Sequence, residues 1–395
     1  MELDISHATL EKLLTQTSLK QRYVIGVPLE REIDEHRVGL TPRAVLLLIE
    51  AGHEVRVEAN AGAMAGFNNV DYVEVGASIV GIEEVFDVDV IFKILPLNLM
   101  EIERLRYNAV VFSIANRTQS KQYFSSLSKK KVTAIAYNKL RGSKGNLIVM
   151  DAVCKIIGNA CPLIAGEYFS SCHKDNGYII GSVAGTPPTE IVFLGATKVT
   201  ETAARIFLSM EASVKIFDRS LSRLQEIKNV LGRSIYTAAL YHDLFQDALS
   251  KADLVIADSF SNEEGEYFIT EDMVKRMKCD SLIIDVGIAR GSSVETSTPT
   301  TVKDPVIVRH GVSHYCVPNI ATRFPGVSSE AFTNVLLPIL LEFSKGYSFH
   351  DLLLLYKSLR TGVYMYRGII TDEMIAKKYD FSLRKLDILL DMPMC

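Results

Sequence analysis

The segment between Pro187 and Ser220 constrains the fold of this chain more than any other stretch. It opens with an apolar run at Ile191–Leu194, continues into an alanine-containing helical pattern, and closes with a second apolar run at Val214–Phe217 that ends in Asp218. Two strands joined by one helix at this spacing are typical of a parallel β-α-β unit, because parallel neighbours need a crossover connection. The pattern therefore predicts an α/β fold with parallel, doubly wound sheets.

The turn between this first strand and its helix departs from a known phosphate-binding pattern. From Gly195 to Thr200 it reads G-A-T-K-V-T, where a dinucleotide-binding Rossmann loop reads G-x-G-x-x-G. Thr197 places a β-branched side chain where the pyrophosphate would approach, and Lys198 offers a charge that either attracts a phosphate or is solvated. Asp218 keeps the position of an acceptor for ribose hydroxyls. The candidate cofactor contacts are Gly195, Ala196, Lys198 and Asp218, and whether NAD binds stays open.

Composition and charge exclude some classes of function. The chain has 395 residues, of which 48% are apolar, which is enough for two sizeable cores. Its 43 basic and 47 acidic residues leave a net charge of −4, which argues against a nucleic-acid or anionic-membrane partner. The most basic run, Lys129–Lys131, precedes an apolar strand pattern and is therefore predicted to be an exposed helix end.

The cysteines and the N-terminus indicate the cellular compartment. The six cysteines form neither a C-x-x-C pair nor a regular spacing, and the histidines show no metal-binding pattern, so no metal site is predicted. The first residues contain no apolar core of signal-peptide length, and no later run approaches the ~18 apolar residues of a membrane span. We therefore predict a soluble, cytoplasmic protein.

Alternating strand and helix patterns divide the chain into two domains. A strand pattern at Tyr23–Pro28 is the first of several that precede residue 150, and long helical patterns at Asp151–Phe169 and Ser328–Ser344 connect the domains. The tail from Ser348 is predicted to be helical. We expect a discontinuous first domain, 1–150 plus 326–395, and a second domain at 151–325, both Rossmann-like and joined by the two long helices.

Several short motifs, taken together, resemble the alanine dehydrogenase and proton-translocating transhydrogenase family. They follow the order of that family from residue 23 to about residue 345, and no single one is diagnostic. The clearest are the runs His36–Pro42, Gly52–Val55, Glu58–Gly62 and His314–Asn319. The resemblance implies a substrate-type first domain, an NAD(P)-binding second domain, a homo-oligomer, and conversion of L-alanine to pyruvate and ammonia with NAD.

The resemblance implies two substrate contacts in the first domain. Arg37 occupies the place of an Arg that clamps the substrate carboxylate in an N-R-V-A-L-T-P-like motif, and a bidentate guanidinium suits that task. In an L-K-V-K-E-P-like strand end of the family, the second Lys also holds the substrate. Here that position is Leu95, and Lys93 stands at the first Lys, two residues earlier and therefore on the same strand face. We predict Arg37 and Lys93 as contacts for an amino acid or a 2-oxo acid, against the alternative of structural salt bridges.

Both catalytic positions of the family are altered. The strand end that should carry the catalytic His reads V-F-S-I-A-N, so that Asn116 replaces it, and the second Asp of a V-D-I-A-I-D-like motif is replaced by Ala289. An amide and a methyl group cannot exchange protons at neutral pH. Asn319 matches the family Asn beside the nicotinamide and is predicted to be a cofactor contact or a loop-stabilising residue.

Three hypotheses about function follow from these matches and departures. The first is an NAD-dependent amino-acid dehydrogenase whose activity is reduced or lost. The second is a non-catalytic member that senses a small carboxylate or nucleotide, or that acts as an interaction protein, since the fold patterns persist where the chemistry has changed. The third is a different reaction that uses Arg290 or Lys155.

Overall fold

The computed structural model describes residues 22–115, 119–170, 177–232, 235–258, 267–343, 345 and 347–391. The chain folds into two compact units. The first unit ends at Val153 and resumes at Phe324, and the second unit is Cys154–Arg323. Asn116 and a short helix expected near residues 8–16 lie outside the described residues.

The first part of the first unit alternates strands and helices. Its strands are β1 (Val24–Val27), β2 (Glu54–Glu58), β3 (Ser78–Val80), β4 (Val90–Phe92), β5 (Val110–Ser113) and β6 (Thr133–Ala136). Its helices are α1 (Pro42–Glu50), α2 (Asn69–Glu74), α3 (Ile82–Phe86), α4 (Leu99–Arg104) and α5 (Lys121–Lys129), followed by the long α6 (Ile148–Phe169), whose larger part belongs to the second unit.

The second unit repeats this alternation, and the chain then returns to the first unit. The second unit contains β7 (Glu190–Leu194), α7 (Lys198–Ser209), β8 (Ser213–Asp218), α8 (Leu221–Leu231), β9 (Tyr236–Ala239), α9 (His242–Lys251), β10 (Leu254–Ala257), α10 (Glu271–Val274), β11 (Leu282–Asp285), β12 (Val306–Arg309) and β13 (Val312–Tyr315). The returning segment contains α11 (Pro325–Phe343), α12 (Phe349–Leu355), α13 (Lys357–Arg360), β14 (Val363–Tyr366), β15 (Ile369–Ile370), α14 (Glu373–Tyr379) and α15 (Leu386–Leu390).

Each unit is built on one mostly parallel sheet. The first has eight strands in the order β15-β14-β6-β5-β4-β1-β2-β3, and the second has seven in the order β12-β13-β11-β10-β7-β8-β9. Among the described strands, only the pairs β14–β6, β14–β15 and β12–β13 are antiparallel. Helices lie between successive parallel strands, as right-handed crossovers require. The α/β fold with two mostly parallel sheets is confirmed.

The last segment of the chain corrects one expectation from the sequence. We expected a helical tail, but β14 and β15 form a hairpin that adds two strands to the first sheet, and the β14 residues are buried. The turn of this hairpin is Arg367-Gly368, and both residues have positive φ, 47° and 82°. The short apolar run V-Y-M-Y before a two-residue turn that contains Gly368 is the local signal of a hairpin. Likewise, α11 begins at Pro325, and the expected cap residue Ser328 is buried within the helix.

Helix α6 is the only described helix whose length and composition would allow it to cross a membrane, a property that we did not expect from the sequence. The core helices of soluble proteins share these two properties. In the second unit this helix packs closely against α7, because a Cβ atom added at Gly158 would lie 2.6 Å from Cβ of Thr202. Contact this close leaves no room for a larger residue at that position.

Candidate substrate and cofactor sites

Arg37 lies in the loop between β1 and α1, where its guanidinium group is buried and already paired. Its Nε donates to Oε1 of Glu35 at 2.7 Å, and its Nη2 donates to Oε2 at 2.5 Å. The backbone N–H of Arg37 also donates to Glu35, and the Arg37 and Glu35 side chains are 4% and 2% exposed. This is the bidentate geometry with which an Arg binds a carboxylate. Glu35 of the chain itself occupies the guanidinium fork expected to hold a substrate.

Lys93 follows β4 and is paired in the same way. Its Nζ lies 2.8 Å from Oε2 of Glu30 and 3.9 Å from Oε2 of Glu101, with the Lys93 and Glu30 side chains 3% and 2% exposed. Oε1 of Glu30 accepts the backbone N–H of Ile94 at 2.6 Å. Burial raises the pKa of Glu30, and the charge of Lys93 opposes this shift. Lys93 therefore neutralises an internal carboxylate.

The loop that carries Arg37 runs directly beside the end of β4. A Cβ atom added at Gly39 would lie 2.3 Å from the backbone oxygen of Phe92, so only glycine permits this approach. The backbone N–H of Val38 donates to Oγ of Ser329 at 3.0 Å and fixes the loop to α11. Glu30 and Glu35 are also close enough for the charge of Glu35 to raise the pKa of Glu30. The Arg37 and Lys93 pairs thus belong to one cluster.

Further charged residues complete this cluster. Arg31 pairs with Glu58, and its Nη1 lies 3.1 Å from Oε1 of Glu101. The cluster thus contains four carboxylates, all buried, and three cations; its members are Glu30, Arg31, Glu35, Arg37, Glu58, Lys93 and Glu101. We call it the charged cluster. It carries one more formal negative charge than positive charges, which is unfavourable for a further carboxylate.

The position of the charged cluster in the sheet is that of a typical ligand site. Glu30 follows β1, Glu58 ends β2 and Lys93 follows β4, and these three strands run parallel. Their carboxyl ends therefore meet at one edge. Strand order reverses between β1 and β4, and ligands of open α/β sheets bind at such a switch point. The fold brings the predicted contacts Arg37 and Lys93 together at this edge.

In the second unit, the loop from β7 to α7 has the same place in its sheet. Gly195 adopts a left-handed φ of 106°, which a tight turn after the strand requires. The backbone N–H of Ala196 donates to Oδ2 of Asp218 at 2.7 Å, so the predicted ribose acceptor also holds the loop. Oδ1 of Asp218 accepts the backbone N–H of Ser220 at 2.7 Å. Each oxygen keeps a further lone pair for a ribose hydroxyl.

Thr197, which replaces the second glycine, caps α7 with its own side chain. Its Oγ1 accepts the backbone N–H of Thr200 at 3.2 Å and also donates to the carboxylate of Asp258. Oγ1 of Thr200 in turn donates to the carbonyl oxygen of Gly195 at 2.6 Å. A dinucleotide pyrophosphate is normally held by the N–H groups at this helix end. One of these donors, the backbone N–H of Thr200, is already bonded to the side chain of Thr197.

Asp258 is the residue of this site that the sequence did not reveal. It follows β10, the strand beside β7, and its side chain is 3% exposed. Nη2 of Arg290 lies 2.6 Å from its Oδ1. Burial raises the pKa of Asp258, and the nearby charge of Arg290 and the hydroxyl of Thr197 lower it. Arg290 was considered as a residue for a different reaction. In the structure it pairs with the carboxylate of Asp258, and that carboxylate accepts the hydroxyl of Thr197 in the β7–α7 loop.

The remaining predicted positions contribute little to a cofactor site in the second unit. Ala289 lies exposed on a single 3₁₀ turn, Ile288–Arg290, and has no titratable group. Nζ of Lys198 lies 2.8 Å from Oε2 of Glu201 on the same helix, and its side chain is more than half exposed. Asn319 is half-buried, and its carbonyl oxygen accepts the N–H of Thr322 at 3.1 Å. The Ala289 and Lys198 side chains therefore add no buried donor for a phosphate.

The residues present fit one end of NAD and not the other. Gly195 and Asp218 provide the turn and the ribose acceptor. The loop has no second glycine at which a pyrophosphate could approach the backbone, and Thr197 already engages both the helix end and Asp258. No reaction step through NAD follows from this arrangement.

Comparisons with known proteins agree along nearly the whole chain. Residues 26–157 match the family described as "Alanine dehydrogenase/PNT, N-terminal domain", and residues 161–373 match "Alanine dehydrogenase/PNT, C-terminal domain". Alanine dehydrogenase 2 of Staphylococcus aureus, strain USA300, is 31% identical over 372 residues, which are 93% of this chain and 100% of that protein. The protein of strain MRSA252 is 31% identical over 367 residues, 92% and 98% of the two chains.

Solved structures give the same result for the fold. A structure of L-alanine dehydrogenase superposes with a TM-score of 0.83 at 26% identity and covers 90% of this chain and 99% of its own. A transhydrogenase from Sinorhizobium meliloti superposes with a TM-score of 0.75 at 20% identity, covering 89% and 99%. Both share the two-sheet α/β architecture described above.

Proposed function

This chain belongs to the alanine dehydrogenase/PNT family, and we propose that its amino-acid dehydrogenase activity is reduced or lost. The family reaction is the NAD-dependent conversion of L-alanine to pyruvate and ammonia. The observation that carries the proposal is the occupation of both substrate-side cations by internal carboxylates, Arg37 by Glu35 and Lys93 by Glu30. The proposal includes a cytoplasmic homo-oligomer, as family membership implies.

Binding of a substrate carboxylate would have to displace an internal one. Glu35 holds Arg37 through two parallel hydrogen bonds in a buried setting, and a displaced Glu35 would remain buried without its partner. Such a group is costly, at about 3–5 kcal/mol for a broken buried pair. A small ligand with one carboxylate gains a comparable interaction at best. We therefore expect alanine and pyruvate to bind weakly.

This chain also lacks the titratable residues that the family resemblance assigns to proton transfer. Ala289 and Asn116 stand at the two positions that the family resemblance assigns to titratable residues, and neither can exchange a proton near pH 7. General acid–base catalysis typically contributes about 10²–10⁴-fold to a rate. Even if both ligands bind, turnover should be low by that factor or more.

A gain-of-function variant tests the proposal. We expect the wild-type protein to bind NADH only at millimolar concentrations and to show no measurable turnover of alanine or pyruvate. The variant Asn116→His/Thr197→Gly/Ala289→Asp restores the family residues and should turn over at a rate at least about 100-fold higher. Calorimetric titration and NADH absorbance measure the two quantities.

The control replaces Ala289→Asp with Ala289→Ser in the same variant, because serine adds a polar group without a carboxylate. It should remain inactive. Turnover of alanine and NAD by the wild-type protein at a rate typical of an amino-acid dehydrogenase would refute the proposal.

One observation favours the second candidate, a non-catalytic protein that senses a small carboxylate. Arg37 and Lys93 are retained in a buried cluster, whereas both catalytic positions have changed. Saturable heat from pyruvate or alanine without turnover, abolished by Lys93→Met, would support this function. Absence of any such heat would exclude it for these two ligands.

A further inference from the structure

A pocket in the first unit lies at the sheet edge opposite the charged cluster. Its volume is about 550 Å³, and it is lined by residues just before and at the starts of β5 and β6, at the end of β14 and in its turn, and at the start of α12. Since β14 runs antiparallel to β6, its last residues lie beside the first residues of β6. The backbone N–H of Arg367 accordingly donates to Oγ1 of Thr133 at 3.1 Å. The pocket is thus formed at the amino ends of the parallel strands.

The pocket lining is cationic. Lys131 and Arg367 contribute two positive side chains, and none of the described residues that line the pocket carries a carboxylate. The nearest acid in sequence, Asp351, caps α12 by accepting the backbone N–H of Ser348 at 3.1 Å and its hydroxyl at 2.6 Å. Lys131 makes no ion pair with any described residue. The electrostatic environment therefore favours an anion.

The pocket also presents neutral polar groups and an apolar wall. Nδ1 of His350 lies 2.9 Å from the hydroxyl of Tyr366, and burial lowers the pKa of His350, so that its imidazole is neutral at pH 7. The Phe349 ring is fixed by edge contacts with Phe112 of β5. The volume lies within the 300–1,000 Å³ range of small-molecule sites, far above the ~30 Å³ share of one water.

Backbone strain is an independent observation on the same pocket. Three of its lining residues, Asn108, Lys131 and Arg367, have left-handed φ values of 62°, 53° and 47°. Asparagine tolerates this region, whereas long side chains adopt it only with backbone strain. Arg367 moreover precedes Gly368 in a two-residue hairpin turn, where Asn-Gly is the unstrained choice. Strain of this kind is typical of functional sites.

From this combination we propose that the pocket binds a small phosphorylated organic molecule of mononucleotide size. Lys131 and Arg367 would neutralise the phosphate dianion, with the Asn108 amide as a further donor. Phe349 and the His350–Tyr366 pair would contact the organic part. The site is separate from the proposed dehydrogenase function, since it shares no residue with the charged cluster or the β7–α7 loop.

Calorimetric titration of the full chain with AMP tests the proposal. We expect saturable binding of AMP, at least tenfold tighter than that of inorganic phosphate or citrate. The variant Lys131→Asn/Arg367→Asn should weaken AMP binding at least tenfold. Because asparagine relieves left-handed strain, the same variant should also melt about 2–4 °C higher or more, so that lost binding cannot be attributed to unfolding.

Two controls separate this site from the second unit. Arg205→Gln/Lys228→Gln removes two exposed cations from helices of the second unit, and Asp218→Asn alters its ribose acceptor. Both should leave AMP binding unchanged. The proposal is overturned if AMP produces no heat, if the asparagine variant binds AMP as the wild type does, if Asp218→Asn abolishes the binding, or if phosphate or citrate binds as tightly as AMP.

Discussion

The two units bury their carboxylates in different ways. In the described part of the first unit, each of the five buried carboxylates lies within 4.0 Å of a cation; they are Glu30, Glu35, Glu58, Glu101 and Glu342. In the described part of the second unit, only one of the three has such a partner, Asp258, while Asp218 accepts backbone N–H groups and Asp285 accepts the hydroxyl of Ser292.

The candidate sites of the two units differ in a related way, because each lacks a different requirement for ligand binding. In the first unit, Arg37 and Lys93 are present, and internal carboxylates occupy both. In the second unit, the glycine that would admit a phosphate has been replaced, and Thr197 supplies an internal hydrogen bond in its place. Breaking a buried charged pair costs more free energy than breaking a hydrogen bond from a hydroxyl group. The cofactor side should therefore be the easier one to restore.

Breaking the Arg37–Glu35 pair should have the largest effect. Arg37→Ala removes the guanidinium that pairs with the buried carboxylate of Glu35 and should lower the free energy of unfolding by about 3–5 kcal/mol. Urea denaturation monitored by circular dichroism measures this loss. The matched variant Glu35→Gln/Arg37→Met keeps the volume and an acceptor for the backbone N–H, and should recover at least half of it. Equal losses in both variants would show that packing, not charge, holds this loop.

A smaller effect is expected from Asp285, a buried carboxylate that interacts with hydroxyls and with the backbone of Gly287 and has no cation partner among the described residues. Its pKa is raised to about 6, mainly by burial, from an ordinary value near 3.9. Between about pH 4 and pH 6 the folded protein therefore binds more protons than the unfolded chain. The free energy of unfolding should fall as the pH rises through this window, by about 3 kcal/mol, and then stay level.

Asp285→Asn removes the titrating carboxyl group. The difference in unfolding free energy between the variant and the wild type should therefore change by about 3 kcal/mol from pH 4 to pH 7. Urea denaturation at four pH values measures it. Asp272→Asn, at an exposed carboxylate, serves as the control and should leave the difference constant. Parallel curves for Asp285→Asn and the wild type would contradict the assignment.

The smallest effect should come from Arg290, the one cation that faces a buried carboxylate in the described part of the second unit. Its side chain is 48% exposed, so solvent screens the pair with Asp258. Arg290→Gln should lower the free energy of unfolding by about 1–2 kcal/mol. The control Lys251→Gln breaks an exposed pair with Asp247 and should cost less than about 0.5 kcal/mol. If Arg290→Gln lowered the free energy of unfolding as much as Arg37→Ala does, the two units would not differ in how strongly they depend on these charged pairs.

The sequence predicted the scaffold well because the signals of parallel strands are local. The observed strands Val24–Val27, Glu190–Leu194 and Ser213–Asp218 each end within one residue of the apolar runs from which they were predicted. The hairpin β14–β15 was missed because V-Y-M-Y and I-I are short, and the preceding α12 made a helical tail the simpler interpretation. Its pairing with β6 joins residues more than 200 positions apart, which no local pattern encodes.

At the candidate sites, the sequence located the cations and missed their partners. Arg37 and Lys93 were indicated by family motifs, and the fold places both at one sheet edge. Glu35 lies two residues before Arg37, and Glu30 is 63 positions from Lys93. Whether a carboxylate faces solvent or a buried cation depends on tertiary packing. Only Asp258 carried a usable signal, since it directly follows an apolar strand beside the loop.

The short outer strands of the first sheet have a consequence for its behaviour at high concentration. One border is β15, with two residues, and the other is β3, with three. A long unpaired strand at either border would offer a template on which another chain could add in register. Each border strand here offers only two or three residues for such pairing, which leaves little length for a second chain to add in register.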